Sequence, residues 1–220
     1  MTNAFYVALT FKLRTLGSRD RAAEVKAREE SSWEHLGVPR EDMAKAVKAV
    51  VGQADIDVLM PFAQRLWNEP VWEFKIAALS MMNLEHVSVN GELWRFVIDC
   101  GPQVDGPALA DCLALVGRRC LRDDPARLDD LAKWPASSNK WMRYSALCFT
   151  TQWTEKGFDP APVLEWVRTL AADKEQCVQD MIGDWIRKLG ANDSNRRNMF
   201  LAAHGDELKP EVLAEGAVEE

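Results

Sequence analysis

From its first residues the chain carries a helical beat of apolar positions. Phe5, Leu9, Leu13 and Leu16 recur at spacings of three and four before Gly17-Ser18 interrupts them, which predicts a helix over 3–16. A strongly charged second helix is predicted over about 19–35, a break at Gly37-Val38-Pro39, and a third helix over about 40–51 with Met43, Val47 and Val50 on its apolar face. Further helices alternate with short breaks at Asn68-Glu69-Pro70, Asn90-Gly91, Gly101-Pro102, Asp123-Asp124-Pro125, Pro135 to Asn139, Gly157 to Pro160, Asp173, and Gly190 to Ser194. No stretch alternates apolar and polar residues convincingly, so no strand is expected.

The breaks are regularly placed. Aligning the segments that begin at Glu69, Val104, Ser138 and Lys174 puts Trp72, Pro107, Trp141 and Cys177 in one column, at separations of 35, 34 and 36 residues. A period of that length, filled by two helices and two turns, predicts an all-α HEAT-like helical-repeat solenoid. Four residues further along the column stand Ile76, Asp111, Ser145 and Met181, so one repeat carries an acid where the others carry apolar or small groups. A carboxylate in a row that otherwise faces inward must be solvated, paired or used, because burying it bare costs several kcal/mol. Asp111 is therefore the candidate active-site residue.

Composition narrows the class. At 220 residues and 47% apolar, the chain can bury one sizeable core. We expect one HEAT-like domain over 1–208 and an acidic tail over 209–220. Every apolar run is broken by charge before the roughly 18 residues a membrane span needs, and the opening stretch lacks the basic start and cleavage site of a signal peptide. Cys100, Cys112, Cys120, Cys148 and Cys177 show no C-x-x-C spacing and fall inside apolar patterns, as expected for reduced core thiols of a cytoplasmic protein. The net charge is −7, but Asp206, Glu207, Glu211, Glu215, Glu219 and Glu220 against Lys209 place most of the excess in the last twenty residues. The nearly neutral remainder can still present one basic face to phosphates.

Several chemistries are set aside. His35, His86 and His204 have no metal-ligand spacing, and no P-loop, dinucleotide fingerprint or nucleophile elbow occurs, so neither metal nor cofactor is expected. Of the nine tryptophans, Trp67, Trp94, Trp134, Trp153 and Trp166 read as core anchors, whereas Trp33, Trp141 and Trp185 are candidates for stacking on a base. Basic clusters at Arg118-Arg119 with Arg122, Lys140 with Arg143, Arg187-Lys188 and Arg196-Arg197 lie near predicted helix ends, where side-chain charge and free backbone N–H groups suit phosphates.

The segments Leu66-Trp67-Asn68-Glu69-Pro70-Val71-Trp72-Glu73-Phe74-Lys75, Trp134 to Arg143 and Val178 to Gly183 with Arg187 resemble the DNA alkylation repair family of HEAT-like, AlkD-like alkylpurine DNA glycosylases. His35-Leu36-Gly37-Val38 is similar to that family's early F-x-G-V element, and the likeness runs to about residue 208. The resemblance implies an all-helical protein that excises cationic alkylpurines from double-stranded DNA, with the damaged nucleotide against a concave surface and not flipped into a pocket. It also implies that Asp111 stabilises the positive charge developing on the sugar, with Arg143, Tyr144, Trp141, Asp184 and Trp185 near the nucleotide and Lys140, Arg187, Arg118 and Arg119 near the backbone. The family's tryptophan four residues before the aspartate is Pro107 here, its arginine is replaced by Tyr144 with Arg143 one place earlier, and its second groove tryptophan falls on Asp184, next to Trp185.

Three readings follow. The first is a cofactor-free, monomeric glycosylase for N3- or N7-alkylated purines with Asp111 as the electrostatic catalyst. The second is a non-catalytic relative that binds bent or branched DNA, and the third a protein-interaction solenoid. Asp184 is a second carboxylate in the groove, a solvated residue on the outer edge, or a structural partner of Arg143 or Arg187.

Overall fold

The computed structural model describes residues 2–210, 212 and 213. The remaining positions of the acidic tail, 211 and 214–220, lie outside the described residues. The chain divides into two compact units, Met1–Val116 and Gly117–Glu220. No strand occurs among the described residues, and none of their helices is long and apolar enough to cross a membrane. The fold is all-α and built of helical repeats.

The first unit holds α1 (Thr2–Leu16), α2 (Arg19–Glu29), α3 (Arg40–Val51), α4 (Ile56–Trp67), α5 (Trp72–Met82), α6 (Gly91–Cys100) and the start of α7 (Pro107–Asp123). Helices α1 and α3 pack together, α4 lies on α5, and α5 is also covered by α3. Consequently every residue of α5 from Trp72 to Leu79 is buried, including Glu73 and Lys75. Burying an acid and an amine in one helix requires partners for both.

Glu73 finds its partners in the loop that the sequence pattern assigned to the end of α2. That helix stops at Glu29, well short of 35, because Glu30 turns left-handed at φ 53°. The following segment runs extended instead, pairing its backbone at Glu34 with Pro70 and Trp72. It then presents three N–H groups to one carboxylate: Gly37 to Glu73 Oε1 at 2.7 Å, Leu36 to Oε2 at 2.9 Å and Val38 to Oε1 at 3.3 Å. Gly37 sits at φ +74°, and a Cβ there would lie 2.2 Å from the carbonyl oxygen of Ser18. Only glycine fits this turn. His35 stacks on Trp72 with ring centroids 5.1 Å apart, and burial pulls its pKa down.

Lys75 points its ammonium to the carbonyl of Trp67 and lies over the faces of Trp33, 3.9 Å from the centroid, and Trp67, 4.8 Å away. Burial pushes its pKa down, opposed by the nearby Cys100 and Asp105. The helix-closing carbonyl and two π faces replace the water that the ammonium has lost.

The second unit continues α7 and adds α8 (Lys140–Phe149), α9 (Ala161–Leu170), α10 (Gln176–Asn192) and α11 (Ser194–His204), with 3-10 turns at Pro125–Leu131, Trp134–Ala136 and Thr151–Thr154. Short polar side chains set the starts: Asn139 accepts from the N–H of Trp141 in α8, and Asp193 from that of Arg196 in α11. Helix α10 runs through Gly190 to Asn192, so the break expected at Gly190 begins only at Asp193. Helix α8 packs on α10, and the ring of Phe149 occupies the space where a side chain at Gly117 would go, 2.2 Å from a Cβ built there. Gln179, buried in α10, donates to the carbonyls of Leu170, Ala171 and Asp173 and so closes the end of α9.

The predicted column marks helix starts. Trp72 and Pro107 are the first residues of α5 and α7, and Trp141 and Cys177 the second residues of α8 and α10. Of the anticipated core tryptophans, Trp67, Trp94, Trp134 and Trp153 are buried, while Trp166 is partly exposed. All five cysteines are free thiols, four of them buried.

One ion pair ties the second unit together. Arg143 donates to Asp173 through Nε at 2.5 Å and Nη2 at 3.1 Å, and through Nη1 to the carbonyls of Ser137 and Ser138. Burial pushes the Asp173 carboxyl up, but hydrogen bonds from Arg143 and the Glu175 N–H, with the charges of Arg143 and Lys209, outweigh it and hold its pKa below the ordinary value.

These contacts set two expectations for stability. Glu73→Ala strands three inward N–H groups and should cost roughly 3–5 kcal/mol, read as a fall in the urea midpoint; a loss below about 1 kcal/mol would contradict the role assigned to Glu73. Because the folded pKa of Asp173 is depressed, its contribution is present above the unfolded carboxylate value, about 4, and disappears as pH falls through the folded value. Asp173→Asn should therefore lower stability at neutral pH and flatten its decline in acid, as measured by unfolding between about pH 2 and 6.

Candidate active site

Asp111 belongs to the first unit, on α7. The helix has one solvent-facing row in this unit: Asp111 is exposed and Leu115, one turn on, is 46% exposed, while Ala108 to Ala110 and Cys112 to Ala114 are buried. The column equivalents Ile76, Ser145 and Met181 are all buried. The inward-facing row expected for Asp111 is thus corrected. Apolar residues on both flanks of this position fix the rotation of α7, and Asp111 is turned to the surface.

Two other acids hold the start of α7 in place. Glu29, itself buried, accepts from the N–H of Ala108 at 3.0 Å, so its charge lies at the positive end of the helix dipole. Gly106 lets the chain pass beneath it, since a Cβ there would be 3.0 Å from the Glu29 carbonyl oxygen. Asp105 accepts from the Ser32 N–H at 2.8 Å and from the hydroxyls of Ser31 and Ser32. Sequence reading missed both anchors, since their partners lie more than seventy residues away. Arg40, at the start of α3, donates to Cys112 Sγ at 3.3 Å. Burial nevertheless raises the Cys112 pKa, with Arg40 opposing and Asp111 adding to the rise, so this cysteine stays a thiol.

Next to Cys112 and Leu115 the first unit has an open cavity of about 600 Å³. It lies between the end of α3, α5 with the turn after it, and α7, which contributes Cys112 and Leu115. The sequence pattern gave no sign of it, because the turn 83–90 reads only as a break.

The other expected site residues lie in the second unit. Trp141 is 9% exposed and meets Tyr144 edge-on at 5.7 Å, and Lys140 lies 5.3 Å from the centre of the Trp141 ring and 3.3 Å from Glu175. These three form one cluster at the start of α8. Arg143 points instead to Asp173, as described above. Asp184 is held by Arg187 and Lys188, its neighbours one turn on in α10, so it serves as a helix-surface partner. Trp185 is fully buried, with Nε1 donating to the Thr150 carbonyl at 3.2 Å; a role in stacking on a base is excluded by that position. Arg118 reaches Thr151 at 3.5 Å, and both Arg118 and Arg119 are partly exposed on α7. Among the described residues no group of three or more His, Cys, Asp or Glu side chains could hold a metal ion.

Comparison with known proteins bears on the family and the fold. A family model described as DNA alkylation repair enzyme matches residues 9–219. Among solved structures, the chain is similar to a predicted DNA alkylation repair enzyme from Enterococcus faecalis, with a TM-score of 0.76 and 16% identity over 91% of this chain and 94% of that one. At that identity the likeness concerns the fold. Among curated proteins no sequence matches. The family match spans nearly the whole chain, and the protein therefore belongs to the DNA alkylation repair enzyme family, with the role in DNA repair that this membership carries.

Proposed function

We propose that the protein is a DNA glycosylase that releases cationic N3- or N7-alkylated purines, with Asp111 as its electrostatic catalyst. As the bond from the sugar to the base breaks, its electron pair neutralises the purine and the sugar becomes an oxocarbenium ion. A fixed carboxylate stabilises that cation more than the neutral sugar that precedes it. Water then adds to the sugar carbon and loses a proton, so no cofactor is required. Lys140, Arg118, Arg119 and Arg187 are the candidates for phosphate contacts, with Trp141 and Tyr144 beside them.

The observation that carries this reading is the exposure of Asp111, on a helix start pinned by Glu29 and Asp105, where the other repeats bury an uncharged residue. A carboxylate that is accessible yet held on an anchored helix can meet a developing charge without reorganising. The second reading, a non-catalytic protein for bent or branched DNA, is favoured by the fate of the expected gripping residues: Pro107 replaces an aromatic, Trp185 is sealed in the core, and Arg143 is spent on Asp173.

Base release from duplex DNA carrying N7-methylguanine or N3-methyladenine tests the choice. Asp111→Asn should reduce release by about 10²–10³-fold while leaving duplex affinity unchanged. Release that survives the substitution would remove Asp111 from the mechanism, and duplex binding without release by the native protein would select the second reading. No duplex affinity even at low ionic strength would leave only the protein-interaction solenoid.

A further inference from the structure

We propose that His35 is a proton-operated latch: when its ring takes up a proton, the segment that clamps Glu73 loosens, and the start of α7 loses part of its anchorage with it. The ring lies between the backbone bridge at Glu34 and the N–H groups of Leu36, Gly37 and Val38 that Glu73 accepts. It stacks on Trp72 with the ring planes 23° apart. Both ring nitrogens are buried, and neither has a hydrogen-bond partner among the described residues. As a neutral imidazole the ring leaves one donor and one acceptor unmatched; as an imidazolium it would leave two donors and a charge. This place suits the neutral form, and burial accordingly pulls the pKa down.

The acids that face His35 are already engaged. Glu73 on α5 accepts the three backbone N–H groups, Glu29 at the end of α2 accepts from Ala108 and pairs with Arg28, and Asp105 before α7 accepts from Ser31 and Ser32. Their charges favour an imidazolium and Lys26 on α2 opposes it, but burial outweighs the three acids. Two further cations stand on the neighbouring helices: Arg21 on α2 donates to the Gly37 carbonyl at 3.0 Å, and Lys75 on α5 lies over Trp33. An imidazolium therefore gains an acceptor only by drawing one of these carboxylates from its present donors, or by leaving for water. Either move breaks contacts that seat the segment. In water the ring regains its ordinary pKa of about 6.5. The seated form binds the proton less well, so seating is strongest above about pH 6.5 and weakens as pH falls toward the lower seated value, by up to about tenfold in the open-to-seated ratio per pH unit.

The test follows amide hydrogen exchange of the full chain by NMR between about pH 5 and 7.5, with rates converted to opening constants. Those of Leu36 and Gly37 should rise on acidification below about pH 6.5, by up to about tenfold per unit, and that of Ala108 should rise with them. Amides within α10, in the second unit, should stay level and so separate local opening from global unfolding. His35→Phe keeps a stacked ring without its titration and should hold the Leu36 and Gly37 constants flat over the same range. If His35→Phe does not fold by circular dichroism, the native imidazole resonances decide: titration below about 6.5 together with the rise supports the latch, and titration at or above that value overturns it. Opening constants that stay level in the native protein, or rise equally in His35→Phe, would also overturn it.

Discussion

The first unit depends on one buried carboxylate. Glu73 sits in a helix covered on every side, and an uncompensated charge there would cost more than the packing around it returns. Its compensation comes from three backbone N–H groups of a segment that is neither helix nor strand. The loop is thereby as fixed as the core. From it follow the left-handed turn at Gly37, the short parallel contact with Val71, and the early end of α2. The same segment contributes Ser31 and Ser32 to Asp105, and the end of α2 contributes Glu29 to Ala108. Asp111 is therefore placed by a chain of polar contacts that begins in the core.

Acids hold different posts in this protein, and environment sorts them. Glu73 is buried against three backbone N–H groups, Glu29 is buried against the Ala108 N–H and Arg28, Asp173 is committed to Arg143, and Asp184 to its own helix. Asp111 stands exposed on a helix whose start is held by Glu29 and Asp105. Among the cations, Lys75 and Arg143 are buried or half-buried against their partners, while Arg118, which reaches Thr151, and Lys140, paired with Glu175, are partly exposed.

The repeats were legible because their punctuation is local. Pro107, and Asn139 two residues before Trp141, announce helix starts through turn and cap chemistry, which needs no distant partner. The end of α2 was not legible, since the charged pattern continues past Glu29 and the contacts that redirect the chain come from Glu73 and Asp105, far along the sequence. The register of α10 shows the limit most clearly. Asp184 and Trp185 are adjacent, about 100° apart on the helix, and nothing local says which one meets solvent. The Thr150 carbonyl decides it by drawing Trp185 inward. Likewise Asp111 was legible as an odd charge, but its exposure depends on which flank of α7 is packed, and the cavity next to Cys112 and Leu115 arises from a turn whose sequence says only that a helix has ended.

The buried amine of Lys75 has an optical consequence. Its charge lies against the ring faces of Trp33 and Trp67, and a fixed charge beside an indole displaces that ring's absorption and emission from those of an indole without one. Trp33 belongs to the same segment that clamps Glu73. Its spectrum therefore reports whether that segment is seated: the natural sequence carries its own chromophore at the joint on which the placement of Asp111 depends.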